Sequence, residues 1–253
     1  MLNLFDHPAL ICGISLVVLW ISAWIGSGVR ARQRDVTEDA RGDVAIILGG
    51  ALTLLGLIIG FTFSMAVTRY DQRKNYEEQE ANAIGTEYVR ADLLPSADAA
   101  KVRALLKRYL DQRILSYTPG EGPERQQVGA ATARLQAELW SALLGPAAAA
   151  PTPVTALVLA GMNDVLNSQG YTQAAWWNRI PTEAWILLAT ISIFCNLLVG
   201  YVAHGRSALL FLILPIALSV SLFLIADIDT PLNGVIRVIP QNLVSLAGSL
   251  QAP

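Results

Sequence analysis

Charged residues are scarce in this chain: they make up 15% of its 253 positions, against 53% for apolar residues, and the mean hydropathy is +0.45. That scarcity excludes an ordinary water-soluble globule. A basic surplus is also lacking, since 18 Lys and Arg face 20 Asp and Glu for a formal charge of -2, and this excludes nucleic acid as a partner. Only two cysteines occur, Cys12 and Cys195. They lie far apart inside apolar runs, so neither a disulfide-stapled scaffold nor a CxxC metal site is available, and each reads as a small buried hydrophobe. The two histidines, His7 and His204, have no Cys or carboxylate at metal-ligand spacing. P-loop, GxSxG and dinucleotide fingerprints are missing. The sequence therefore offers no catalytic residue, no metal site and no cofactor.

Long apolar runs are present. Pro8 to Val29, Val44 to Val67, Ala184 to Ala203 and Ala208 to Ala226 contain no Asp, Glu, Lys or Arg, and each is long enough to cross about 30 Å of hydrocarbon as a helix. The first is read as a retained span rather than a signal peptide, because Met1 to His7 carries Asp6 and no basic residue. His204 to Ser207 alone separate spans three and four, which predicts a tight helical hairpin, with Pro215 a candidate kink in its second arm. Trp20, Trp24, Trp176, Trp177 and Trp185 fit either interfacial anchoring or packing against neighbouring helices. The lipid bilayer is thus one expected partner. No ionisable residue sits inside a span to serve a proton relay or coupled pump.

Between spans two and three, Thr68 to Glu183 holds 12 of the 18 Lys and Arg residues and must fold in water. Its periodicity is helical. Over Ala97 to Thr118, Val102, Leu105, Leu106, Tyr109 and Leu115 share a face opposite Lys101, Arg103, Lys107 and Arg108, as in a helix packed on neighbours or, alternatively, lying on a membrane. Further helices are predicted over Glu124 to Leu144 and Val154 to Asn167, separated by the link Gly145 to Pro153. No strand-like alternation appears, so the expected fold is all-α, a polytopic membrane protein with four transmembrane helices and a helical extramembrane domain. Its organisation reads as a first hairpin over 1–68, a helical domain over 69–183, a second hairpin over 184–227 and a tail over 228–253. The acidic residues Asp71, Glu77, Glu78, Glu80 and Glu87 read as a solvated face or as partners for Arg73 and Arg90, rather than as a carboxylate dyad.

Span two does not stop at the membrane surface, because no Pro or turn cluster interrupts the run from Val44 to Pro95. Within the membrane, Gly56 and Gly60 form a GxxxG step that permits close helix approach. Thr53, Leu57, Phe61, Ser64 and Thr68 fall within a sector of about 80°. This stripe is either a helix-helix seam or a pore lining in which Leu57 and Phe61 make a hydrophobic constriction.

The segment Gly60-Phe-Thr-Phe-Ser-Met-Ala-Val-Thr-Arg-Tyr70, with Asp71, Arg73 and Asn82-Ala-Ile-Gly85 beyond it, resembles the pore helix of bestrophins. Asn178-Arg-Ile-Pro181 resembles the R-x-x-P-x-P stretch before the third bestrophin span, one residue shorter, and Ile228-Asp-Thr-Pro231 resembles the I-x-x-P-F-G segment after the last. The whole is similar to the bestrophin-like family of bacterial membrane proteins. The resemblance implies a homopentameric channel for small anions in the bacterial inner membrane, with span two around the axis and both termini and the middle domain in the cytoplasm. It places Phe61, Leu57 and Thr53 at three neck positions, with Thr53 departing from the usual bulky apolar residue. The acidic calcium clasp of animal bestrophins is not evident, since only Asp227 and Asp229 are acidic there. Charge does not fix the orientation: Arg30, Arg32, Arg34, Arg41 and Arg206 on one side equal Arg69, Arg73, Lys74, Arg179 and Arg237 on the other. The arginines after span one, interleaved with Asp35, Glu38, Asp39 and Asp43, read as a self-neutralising loop or as a ring concentrating anions at a pore mouth. The alternative to a channel is a non-conducting oligomeric scaffold or sensor whose middle helices recruit a partner.

Overall fold

A computed structural model describes residues 7–32, 38–120, 122–203 and 210–251, with the side chains of 38–41 and 210 excepted. Eight α-helices and one 3-10 turn, Ala91–Leu93, account for the regular structure of the described residues. In chain order the helices are α1 Pro8–Arg32, α2 Glu38–Arg90, α3 Ser96–Leu115, α4 Pro123–Ala149, α5 Pro153–Trp177, α6 Thr182–Val202, α7 Leu210–Asp229 and α8 Gln241–Gln251. The all-α expectation holds, and four helices are long and apolar enough to cross a membrane. The hairpin turn His204 to Ser207 lies outside the described residues, as does most of the Arg-rich loop after α1.

The chain divides into two compact units. The first comprises 1–69 and 179–237, the second 70–178 and 238–253. Helix α2 contributes to both: at 1.5 Å per residue its 53 residues reach about 80 Å, far beyond the hydrocarbon thickness.

In the first unit, α1 and α6 run in the same direction. Arg30, near the end of α1, donates through Nη1 to the carbonyls of Val202 at 3.0 Å and Ala203 at 2.7 Å, so its charge caps the C-terminus of α6. Of the arginines assigned from sequence to a solvated loop, this one is an intramolecular cap. Glycine makes the close packing possible. A methyl carbon on Gly200 would fall 2.7 Å from the carbonyl carbon of Ala23, and one on Gly26 would fall 2.9 Å from that of Leu197. Leu55 of α2 joins Ile11, Leu19, Leu188, Cys195, Leu218, Leu222 and Ala226 in the apolar core. Helix α7 continues through Pro215.

The second unit packs α3, α4, α5 and α8 with the outer part of α2. On α3 the expected face is buried at Val102, Leu105, Leu106 and Tyr109, which favours helix packing over a membrane-surface role. Leu115 departs from the expectation: it is exposed, and Arg113 takes the buried place. Helix α5 exceeds its predicted end by ten residues, because Ser168, Thr172, Ala175 and Trp176 continue the buried stripe past Gly170. Helix α4 likewise absorbs most of the predicted link, running through Pro146 to Ala149 on alanines of high helix propensity. The stretch read as a tail contains α8.

Candidate functional site

The two faces of α2 differ sharply. One face is buried along its length: Leu55, Thr62 and Ala66, then Arg73, Glu77, Glu80, Ile84, Glu87 and, just past the helix end, Ala91. Their spacings of three, four and seven keep them on one side of a 3.6-residue helix. The opposite side carries all five stripe residues. Leu57 is 54% exposed and Phe61 65%, and Thr53, Ser64 and Thr68 are also exposed. The hydroxyls of Thr53 and Thr68 turn back to the carbonyls of Gly49 and Ser64, each at 2.9 Å, which presents their methyl groups outward. Gly56 and Gly60 flank this row with nothing within 4 Å of a methyl carbon built on either, so no helix among the described residues uses the GxxxG step. Only 6% of the apolar window of α2 is buried, against 28% for α1 and 50% for α7, so most of this span is left to lipid or to another copy of the chain.

The buried charges on α2 correct the reading of a solvated acidic face. Each of three anchors a different helix of the second unit. Arg73 Nε donates to the carbonyl of Ala175 at 3.3 Å, at the end of α5. Glu77 accepts from the backbone N–H of Leu243 at 2.9 Å and from Asn242 Nδ2 at 2.6 Å, capping the start of α8. Glu80 is paired with Arg113 of α3 and accepts from the Thr172 hydroxyl of α5 at 3.1 Å. A buried ion pair adds little net stability over an apolar replacement, but removing one partner strands the other charge. Glu87 is the exception: it is fully buried, and neither carboxylate oxygen has a hydrogen-bond partner. Burial pushes its carboxyl up to about 8 from the ordinary 4.5, against the lowering effect of Arg90 and with a further rise from Asp164. It lies against Gly161 of α5, where a methyl carbon would fall 3.1 Å from its carboxyl carbon. Glu78 and Asp71 remain exposed.

The two short motifs flanking the second pair of spans meet in the first unit. Asp229 accepts from the backbone N–H of Ile180, at 3.1 and 3.2 Å to its two oxygens, and Arg179 donates to the Thr230 hydroxyl at 3.1 Å. Asp227 accepts from the N–H groups of Val235 at 2.8 Å and Ile236 at 2.7 Å. Asp227 thus closes the turn after α7, and Asp229 ties the end of α7 to the segment before α6. No group of three or more potential metal ligands occurs among the described residues. The tryptophans divide: Trp20, Trp24 and Trp177 are exposed, whereas Trp176 is buried.

Four apolar spans, an α2 that outlasts the bilayer and a helical second unit define a polytopic α-helical integral membrane protein. The sequence model of the Bestrophin-like domain matches residues 12–243, and the chain belongs to the bestrophin-like family. Its fold is similar to solved structures of a bacterial bestrophin homologue from Klebsiella pneumoniae. One, solved by Zn-SAD phasing, is 15% identical with a TM-score of 0.62, covering 95% of this chain and 99% of that one. A mutant form is 13% identical with a TM-score of 0.63, covering 93% and 98%. A comparison with curated proteins gives no match.

Proposed function

We propose that the chain assembles with copies of itself, as a pentamer by resemblance to bestrophins, into an ion channel of the bacterial inner membrane. The exposed row of α2 lines its pore. The observation that carries this reading is the exposure of Thr53, Leu57, Phe61, Ser64 and Thr68 on one face while Leu55, Thr62 and Ala66 bury the other. A span turned out in this way satisfies its apolar surface against lipid or identical neighbours. Gly56 and Gly60, with nothing near them, leave room for the neighbouring copy to approach. The permeant ions are small anions: the edges of pore-facing Phe61 rings carry partial positive charge and make contact with a weakly hydrated anion as it sheds water. Both termini and the second unit face the cytoplasm, as in bestrophins.

A second reading, conduction of small cations, is favoured by one feature. Past Thr68 the same helical phase reaches exposed Asp71, with exposed Glu78 at its margin, while exposed Lys74 sits further round. The test is the reversal potential of the purified full chain in planar bilayers under a potassium chloride gradient. A potential near that of chloride supports the anion reading. One near that of potassium, lost in Asp71→Asn with Glu78→Gln, supports the cation reading, and an assembled oligomer with no current returns the chain to a scaffold.

A further inference from the structure

The second unit contains a polar cavity that the pore reading does not use. It measures about 130 Å³ and lies between α3, α4 and α5. The guanidiniums of Arg113 and Arg125 flank the ring of Trp176, at 5.9 and 5.8 Å from its centroid. Three primary amides, Gln136, Gln169 and Gln173, face the same space, and no Asp or Glu among the described residues lines it. Glu80, which balances Arg113, is fully buried outside the lining.

The amides are arranged to donate. Gln136 Nε2 gives its hydrogens to Gln169 Oε1 at 3.3 Å and to the Tyr109 hydroxyl at 3.4 Å. That engages the oxygen of Gln169 and leaves its NH2 group to donate, and the side-chain amide of Gln173 makes no hydrogen bond among the described residues. A cavity rich in N–H donors, with two guanidiniums on an aromatic face, that of Arg113 also paired with Glu80 behind the lining, and no carboxylate among the described lining residues, has the chemistry of an oxyanion site. Its volume is well below the roughly 300 Å³ at which pockets for drug-sized ligands begin, which excludes nucleotides and peptides.

We propose that this cavity binds a small oxyanion, a carboxylate or a tetrahedral sulfate or phosphate group, and thereby ties α4 to α5. A planar carboxylate matches the guanidinium fork in two parallel bonds, whereas a tetrahedral anion uses the amides more fully. The site is independent of ion conduction.

The test is thermal unfolding of the purified full chain in detergent, titrated with sodium acetate, sulfate or phosphate against sodium chloride at constant ionic strength. Wild type is expected to gain stability saturably with at least one oxyanion. The half-saturating concentration should rise about tenfold to a hundredfold in Arg125→Gln, the loss of one charge-assisted contact. Gln173→Leu should weaken binding in the same direction, and it keeps the test open if Arg125→Gln does not fold. Arg134→Gln, which lies outside the cavity lining, should bind as wild type. Stabilisation without saturation, or saturation equal in wild type and both cavity variants, would overturn the proposal by identifying a general salt effect. Acetate binding more tightly than sulfate and phosphate identifies a carboxylate ligand, and the reverse order a tetrahedral one.

Discussion

Replacing Gly200 with alanine is expected to force α1 and α6 apart. The added carbon would overlap the carbonyl oxygen of Ala23 and lie 2.7 Å from its carbonyl carbon and 3.0 Å from the amide nitrogen of Ser27. Relaxed carbon contacts need about 3.5–4.0 Å, so the helices must separate by at least about 1 Å at this point. The obstruction is the backbone of α1, and no rotamer change relieves it. A gap of that size forfeits a quarter to a half of the dispersion energy of each contact along the seam. It also pulls the Arg30 guanidinium away from the carbonyls of Val202 and Ala203. Overpacked sites of this kind lose about 1–3 kcal/mol, and the rigidity of the obstruction puts Gly200→Ala near 3. For a chain of this size that corresponds to a fall in Tm of about 6–12 °C. The assay is thermal unfolding of purified protein in detergent, followed by tryptophan fluorescence, with Gly28→Ala as the control because nothing lies within 4 Å of its added carbon. A Gly200→Ala protein that melts with the control would refute the argument.

Two further predictions concern the buried acids of α2. Glu87 is held protonated in the folded state, so its contribution to stability is fully present below about pH 4.5, declines as the pH rises from there and is lost above about pH 8. The charges facing it are Arg90 on its own helix and Asp164 on α5, and Glu87→Gln should flatten this part of the pH profile. Wild-type and variant Tm curves between pH 5 and 8.5 should diverge steadily; parallel curves would contradict the assignment. Glu77→Ala removes both acceptors at the start of α8, a helix of 11 residues that is marginal without tertiary support. Amide exchange over 241–251 is expected to accelerate about tenfold to a hundredfold by mass spectrometry, and unchanged protection would show that α8 is held by other contacts.

The four spans were legible because membranes impose a crude rule: about 20 residues without charge. The exposed row of α2 was legible as a stripe, since Thr53, Leu57, Phe61, Ser64 and Thr68 recur at helical spacing, although the pattern alone favoured a helix-helix seam over a pore lining. The buried charges were misread because charge ordinarily signals solvent. Phase held the missing information: Arg73, Glu77, Glu80 and Glu87 continue the same side of α2 as Leu55, Thr62 and Ala66. The α1–α6 contact has no GxxxG signature, because each helix supplies a single glycine to it, Gly26 and Gly200, and only the fold brings them together. Helix α8 is short, begins just after Pro240 and depends on Glu77 for its cap, none of which is visible in its own residues.

The central claim is that one face of α2 lines a water-filled path, and thiol accessibility tests it most directly. In a background with Cys12 and Cys195 replaced by alanine, single cysteines at Leu57, Phe61, Ser64 and, as the buried control, Leu55 would be reconstituted in liposomes and treated with a charged aqueous methanethiosulfonate while ion flux is recorded. The account predicts that modification at Leu57, Phe61 and Ser64 changes flux and that Leu55 is inert. Equal inertness at all four positions in a conducting oligomer would contradict it, because the ion path would then lie elsewhere.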